Sequence, residues 1–153
     1  TLVKSKNPAK KSQPYSYIEI SDINNDSQTH LAFYETLESS KATYWITSGP
    51  WEVTALKRID QESGLVYYLS TEKGSTERHL YSITLTGKEK KLISSNGQAF
   101  EKIVDQVPGS LGLREDAGFY DADFSPLSTY YVLAYLGPDV PWERLQKTKN
   151  GNY

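Results

Sequence analysis

His30 and His79 are the only histidines in the chain. Imidazole is the side chain best suited to acid–base work or metal ligation near neutral pH. The two stand 49 residues apart in matching surroundings, Thr29-His30-Leu31 and Arg78-His79-Leu80. Matching positions in a repeat are what packing produces, and histidines in neighbouring repeats are too far apart to share a ligand. Both are therefore expected to be structural. Asp121 and Asp123 share one face at strand spacing, and Glu52 follows Trp51. Acid–base chemistry needs two carboxyls at a set separation in a cleft; with no pocket implied, these carboxylates are expected to be solvated or to line a channel. Gly109-Ser110-Leu111-Gly112 places a serine among glycines, but the nucleophile-elbow spacing Gly-x-Ser-x-Gly occurs nowhere. The reading is a chain with no catalytic residue, no metal site and no cofactor.

Three further features are candidates for binding or modification. Lys4, Lys6, Lys10 and Lys11 form a basic cluster around Asn7-Pro8, which without helical spacing reads as a solvated loop. Asn25-Asp26-Ser27 matches the acceptor pattern for N-glycosylation. Tyr15 and Tyr17 open a strand and are read first as core or surface tyrosines.

Composition limits what these residues can serve. A length of 153 residues suits one ordinary domain, and a net charge of −2 offers no basic field for nucleic acid or anionic lipid. The absence of cysteine removes disulfides and thiolate metal sites. No run reaches the roughly 18–20 apolar residues of a membrane span, and the polar stretch Thr1–Lys11 does not resemble a signal peptide. The chain holds 12 tyrosines and 3 tryptophans, mostly in short runs with β-branched neighbours. Such side chains suit a pleated, half-buried surface.

Strands are expected at Tyr17–Ser21, His30–Glu35, Thr43–Thr47, Trp51–Arg58, Leu65–Thr71, His79–Leu85, Lys90–Ser94, Tyr120–Ser125, Tyr130–Leu136 and Trp142–Gln146, with Leu2-Val3 as the tail of another. Turn signals separate them, among them Glu62-Ser63-Gly64, Thr86-Gly87 and Gly137-Pro138-Asp139. Each histidine opens a strand that is followed by a fourth strand and a polar stretch, Ile46-Thr47-Ser48-Gly49 in one copy and Ile93-Ser94-Ser95-Asn96-Gly97 in the other. A four-strand repeat near 45–50 residues indicates propeller blades; a β-sandwich, the rival all-β reading, does not require an ordered repeat. The fold class is thus all-β: a partial β-propeller of about two and a half four-stranded antiparallel blades. Residues 1–49 form a blade end, 50–97 a full blade, 98–118 an inserted inter-blade segment and 119–146 a partial last blade lacking its fourth strand. Unclosed blades leave open edges, so self-association of the isolated chain is expected.

Trp51-Glu52-Val53, Val66-Tyr67-Tyr68-Leu69-Ser70-Thr71-Glu72 and Ser75-Thr76-Glu77-Arg78-His79-Leu80-Tyr81 resemble the propeller of the dipeptidyl peptidase IV family, in its fungal dipeptidyl aminopeptidase form. Phe124-Ser125-Pro126, Tyr130-Tyr131 and Gly137-Pro138-Asp139-Val140-Pro141-Trp142 resemble that family's closing blade. The likeness spans roughly Tyr15 to Leu145. It implies a serine-type parent that releases N-terminal dipeptides, with a C-terminal α/β-hydrolase domain as the partner of the propeller and peptides as substrates. The propeller would then scaffold and gate the substrate chamber; a propeller interaction module of a catalytically inactive homologue is the alternative. The family's paired glutamates and catalytic triad map to no residue here, and the Asn96–Phe119 connection is longer than the family's. An aromatic near the start of the Tyr17 strand touches the outer substrate site in relatives, so Tyr17 becomes a candidate contact. The resemblance also implies the luminal or extracellular side of the secretory pathway, with a vacuolar or Golgi membrane-anchored parent, where Asn25 would be glycosylated.

Overall fold

The structure is a computed structural model and describes residues 1–4, 15–22, 28–94, 117–137 and 140–148. These residues form strands β1 (Leu2–Lys4), β2 (Tyr15–Asp22), β3 (Thr29–Tyr34), β4 (Tyr44–Trp45), β5 (Val53–Asp60), β6 (Leu65–Ser70), β7 (His79–Thr84), β8 (Lys91–Leu92), β9 (Tyr120–Phe124), β10 (Tyr130–Tyr135) and β11 (Trp142–Lys147). Each expected strand is present within a few residues of its expected ends. They pair antiparallel in chain order as three sheets, β1-β2-β3-β4, β5-β6-β7-β8 and β9-β10-β11. The architecture is the partial propeller expected from the repeat. The segment expected as a blade end, residues 1–49, carries four strands, the first of only three residues.

Burial along the strands follows from stacking the three sheets. The middle sheet is covered on both faces, so β6 and β7 are apolar almost without alternation; Val66, Tyr67, Tyr68, Leu69, Leu80, Tyr81 and Ile83 are all buried. One face packs Val66, Tyr68, Tyr81 and Ile83 against Val3, Ile18, Leu31 and Ile46 of the first sheet. The other packs Tyr67, Leu69 and Leu80 against Tyr120, Ala122, Tyr131, Leu133 and Tyr135 of the third. The third sheet has one covered face only. Its strands β10 and β11 therefore alternate, leaving Tyr130, Val132 and Leu145 exposed on the other side.

Local chemistry fixes the turns. Between β5 and β6 the Asp60 carboxylate accepts from the backbone N–H groups of Glu62 (3.1 Å) and Ser63 (3.4 Å) and from the Ser63 hydroxyl (2.6 Å), a local side-chain closure of the kind short polar residues favour. Between β7 and β8, Thr84 Oγ1 both donates to Lys88 O (2.8 Å) and accepts from Lys88 N (3.0 Å). Gly87 in that turn has φ +76°, and a Cβ there would lie 2.8 Å from the Ile46 carbonyl oxygen. Glycine is required because the turn rests on the backbone of the first blade.

Contacts between blades set which strand ends lie together. At one edge, Thr29 Oγ1 at the start of β3 donates to Val53 O at the start of β5 (2.8 Å). Arg78, before β7, forms a parallel bridge with Phe119, before β9. At the opposite edge Tyr44 Oη donates to Leu85 O (3.0 Å), and Arg58 donates from Nε to Ser128 Oγ (2.6 Å) and from a terminal nitrogen to Pro126 O. The β2–β3, β6–β7 and β8–β9 connections thus leave the first edge. The β5–β6, β7–β8 and β9–β10 turns leave the second. Asn25 and Gly109 lie outside the described residues, as does most of the inserted segment.

Candidate functional site

The two histidines form a repeated joint between blades. His30, fully buried, places Nε2 3.1 Å from Gly49 O and Nδ1 3.1 Å from Thr47 Oγ1. A carbonyl can only accept, so Nε2 carries the proton. In the neutral ring Nδ1 then accepts from the Thr47 hydroxyl, whose oxygen in turn accepts from the Leu31 N–H at 2.9 Å. Burial lowers the His30 pKa from its ordinary value, against the opposing pull of the Gly49 carbonyl. The ring meets Trp51 edge-on with centroids 4.8 Å apart. His79 repeats the arrangement one blade on. Its Nδ1 lies 3.0 Å from Ser94 Oγ, which accepts from Leu80 N (3.1 Å), and the ring packs on Tyr120 of the next blade at 5.0 Å. Its Nε2 faces the Glu77 carboxylate at 2.7 Å in place of a carbonyl.

Each imidazole is engaged at both ring nitrogens, at Nδ1 by a buried hydroxyl (Thr47 or Ser94) and at Nε2 by the exposed Gly49 carbonyl or the partly buried Glu77 carboxylate, which is how a packing joint uses the ring. The third blade carries a different ring at the equivalent register position. In register, Ser70 stands opposite His79 on β6–β7, and Tyr135 stands opposite Trp142 on β10–β11. Trp142 thus fills the histidine position there, stacking on Tyr135 (5.7 Å) and meeting Tyr120 edge-on (6.1 Å).

Beyond Trp51 lies a charged box. Trp51, Tyr68 and Tyr81 form a near-parallel row, with centroids 6.4 Å and 5.7 Å apart. The Lys90 ammonium sits 5.2 Å from the Trp51 ring centroid and 5.9 Å from that of Tyr81, and it pairs with the Glu72 carboxylate. The cation is held by ring quadrupoles and one carboxylate, tying the two-residue strand β8 to the first joint. Burial drives the Tyr68 phenol well above its ordinary pKa, and the Glu72 charge adds to the effect.

The other candidates fall apart as sites. Asp121 is engaged by Lys57 across the second and third blades (2.8 Å), whereas Asp123 lies 4.0 Å from the same ammonium and is almost wholly exposed. This is a tether and a solvated carboxylate rather than an acid–base pair. Tyr17 stacks on Tyr34 (4.5 Å, 2° between planes) and donates to Ser39 O (3.3 Å). It stands near the start of β2, at the same edge as the β5–β6 turn. Asn25 lies outside the described residues, as do Lys6, Lys10 and Lys11. A groove of ≈ 710 Å³ separates the second and third blades, lined by Tyr67, Thr84, Glu89, Lys91, Tyr131 and Lys147 among others; Glu89 is the one carboxylate in its lining. No group of three or more metal-ligating side chains occurs among the described residues.

The hydroxyls of Thr47 and Ser94 complete the joints, and sequence reasoning missed their role. Their signal was present, since each follows an isoleucine at the same point of its repeat. Lys57 and Arg58 had no comparable signal, because their partners come from the third blade, and Lys90 had none because Glu72, Trp51 and Tyr81 stand at no local spacing from it.

Comparison with known proteins agrees with this geometry. Residues 2–142 match the family model of the dipeptidyl peptidase IV N-terminal region. A Schizosaccharomyces pombe relative named as a dipeptidyl aminopeptidase is 42% identical over 84% of this chain and 14% of its own length. An Aspergillus flavus relative named as a dipeptidyl peptidase 4 is 40% identical over 88% of this chain and 14% of its own. The crystal structure of Porphyromonas gingivalis dipeptidyl peptidase 4 superposes with a TM-score of 0.61 at 25% identity, over 90% of this chain and 16% of that one. The chain therefore spans only about one seventh of the curated relatives it matches. By its sequence, its blades and its fold, it belongs to the dipeptidyl peptidase IV N-terminal region family.

Proposed function

We propose that this chain is a non-catalytic propeller segment of a serine-type dipeptidyl peptidase that releases N-terminal dipeptides. It would scaffold and gate the substrate chamber while a C-terminal α/β-hydrolase domain supplies the nucleophile. The observation that carries this reading is the site itself: each histidine is consumed by a joint between blades, within a chain whose relatives are named as dipeptidyl peptidases. In this reading the edge bearing the start of β2, Gln61–Gly64 and Gly87–Glu89 faces the hydrolase domain, which puts Tyr17 on the substrate side. The opposite edge, where the Asn25 connection leaves, faces solvent in the secretory pathway and carries the glycan.

The test is direct. The 153-residue chain, incubated with a chromogenic dipeptide substrate, is expected to give no turnover, because the nucleophile-elbow pattern Gly-x-Ser-x-Gly does not occur in its sequence and both histidines are engaged in the joints. Activity that survives rigorous purification refutes the proposal. The downstream sequence of the parent discriminates further: Gly-x-Ser-x-Gly followed by Asp and His identifies the enzyme, and its absence identifies an inactive homologue.

A further inference from the structure

The two histidine joints share one plan, with a buried hydroxyl at Nδ1 and an aromatic ring of the next blade beside the imidazole, but differ in what Nε2 meets. Nε2 of His79 faces a carboxylate, Glu77 Oε2 at 2.7 Å. Nε2 of His30 faces an uncharged carbonyl, Gly49 O at 3.1 Å. We propose that the joint between the first and second blades is an acid-sensitive seam that protonation of His30 opens, while Glu77 protects the equivalent joint between the second and third. This inference concerns the chain's own fold and stands whether or not the parent is an active peptidase.

The chemistry of the first joint leaves a proton nowhere to go. A second ring proton would appear on Nδ1, pointing at Thr47 Oγ1. That oxygen already accepts from Leu31 N. To receive another N–H, the hydroxyl must turn away, and its own hydrogen then loses the ring nitrogen it was donating to. The cost of such an orphaned donor is high in a site where His30 is fully buried and Thr47 is nearly so.

Nothing nearby neutralises the new charge. Among the described residues, neither ring nitrogen of His30 contacts a charged group. The elements around it do carry charges. On β2, Glu19 is exposed and accepts from Ser21 Oγ at 3.0 Å, and Asp22 is exposed opposite Thr29. Glu52 follows Trp51 in the chain and is partly exposed. Across Trp51 stands the Lys90 ammonium, 5.2 Å from the indole centroid, with Glu72 bound to it. The Trp51 indole that His30 contacts thus already holds one cation. In the second joint an imidazolium would lie against the Glu77 carboxylate, a charge-assisted pair.

The burial-lowered pKa of His30 gives the direction. A histidine that resists protonation when folded contributes its full stability above the unfolded value of about 6.5, and that contribution is lost as pH falls below it. What opens is the contact of His30 with Trp51, followed by the bond from Thr29 Oγ1 to Val53 O.

The chain supplies its own control, since Leu31 N and Leu80 N donate to equivalent hydroxyls in the two joints. The experiment is amide hydrogen exchange of the full chain from pH 8 to 4.5, corrected for intrinsic rates. It is read together with long-range ¹H–¹⁵N spectra of the two histidines. The expected result is protonated Nε2 and unprotonated Nδ1 at His30. Leu31 should lose protection by up to about tenfold per pH unit below about 6.5, with Leu80 holding its protection. Glu77→Gln should make the Leu80 amide acid-sensitive as well, and His30→Gln, which keeps a donor for Gly49 O, should abolish the response at Leu31. Parallel loss at Leu31 and Leu80 in the unmutated chain overturns the proposal. So does a His30 that titrates near 6.5 with Leu31 still protected, or protection at Leu31 that is insensitive to pH.

Discussion

Replacing Thr47 with valine should cost far more than a surface substitution, and the joint geometry gives the size. The hydroxyl holds Leu31 N at 2.9 Å and His30 Nδ1 at 3.1 Å, and Thr47 and His30 are both buried. Valine keeps the shape, so no cavity forms, yet both polar partners lose their bond without gaining water. Each buried orphan costs about 1–3 kcal/mol, and the added methyl returns about 0.8 kcal/mol by burial. The net loss is roughly 1–5 kcal/mol, about 3 kcal/mol at the middle of that range. In urea unfolding followed by tryptophan fluorescence and circular dichroism, a slope of about 1–3 kcal/mol per M converts the middle value into a midpoint lowered by about 1–3 M. Ser94→Ala should show a comparable fall, because the second joint uses its hydroxyl in the same way. In the double variant Thr47→Val with His30→Leu, the losses should fall short of additive by about 1 kcal/mol, since both changes remove one shared bond. A midpoint within about 0.3 M of the unmutated chain, with an unchanged slope, would refute the assignment of these hydroxyls as joint-forming.

Gly87→Ala should destabilise more than Gly64→Ala in the same assay. Both glycines have positive φ, +76° and +70°, but only at Gly87 would a Cβ meet backbone, 2.8 Å from Ile46 O; backbone strain alone is about 1–2 kcal/mol. Burial, with the Tyr67 phenol beside it, pushes the Tyr131 hydroxyl up to about 12. A tyrosine whose folded pKa is raised loses its stabilisation as pH climbs from the unfolded value of about 10, so alkaline unfolding of Tyr131→Phe should lack about 2 kcal/mol of that decline between pH 10 and 12. Strand β11 pairs with β10 alone among the described residues, and Leu145 beside that edge is 71% exposed. Sedimentation velocity of the isolated chain should therefore show species larger than monomer; a compact monomer at all concentrations would count against an open edge.

The chain's own order of residues determined its strands and their grouping. Alternating aromatic and β-branched residues between Gly, Asn and Asp turns specify strand and turn locally, and a repeat of four strands per histidine specifies blades. The structural reading of His30 and His79 was equally legible, because two copies of one motif announce a packing rule. What the sequence did not determine is which side chains meet across blades. Arg58 reaches Ser128 and Lys57 reaches Asp121 over separations of tens of residues, and no local periodicity encodes such a meeting. The difference between the joints is of the same kind. Gly49 and Glu77 sit on opposite sides of their histidines in the chain, 19 residues after one and 2 before the other. Only the folded backbone brings a carbonyl to the one Nε2 and a carboxylate to the other, and that choice, made by tertiary packing, decides how each seam meets a proton.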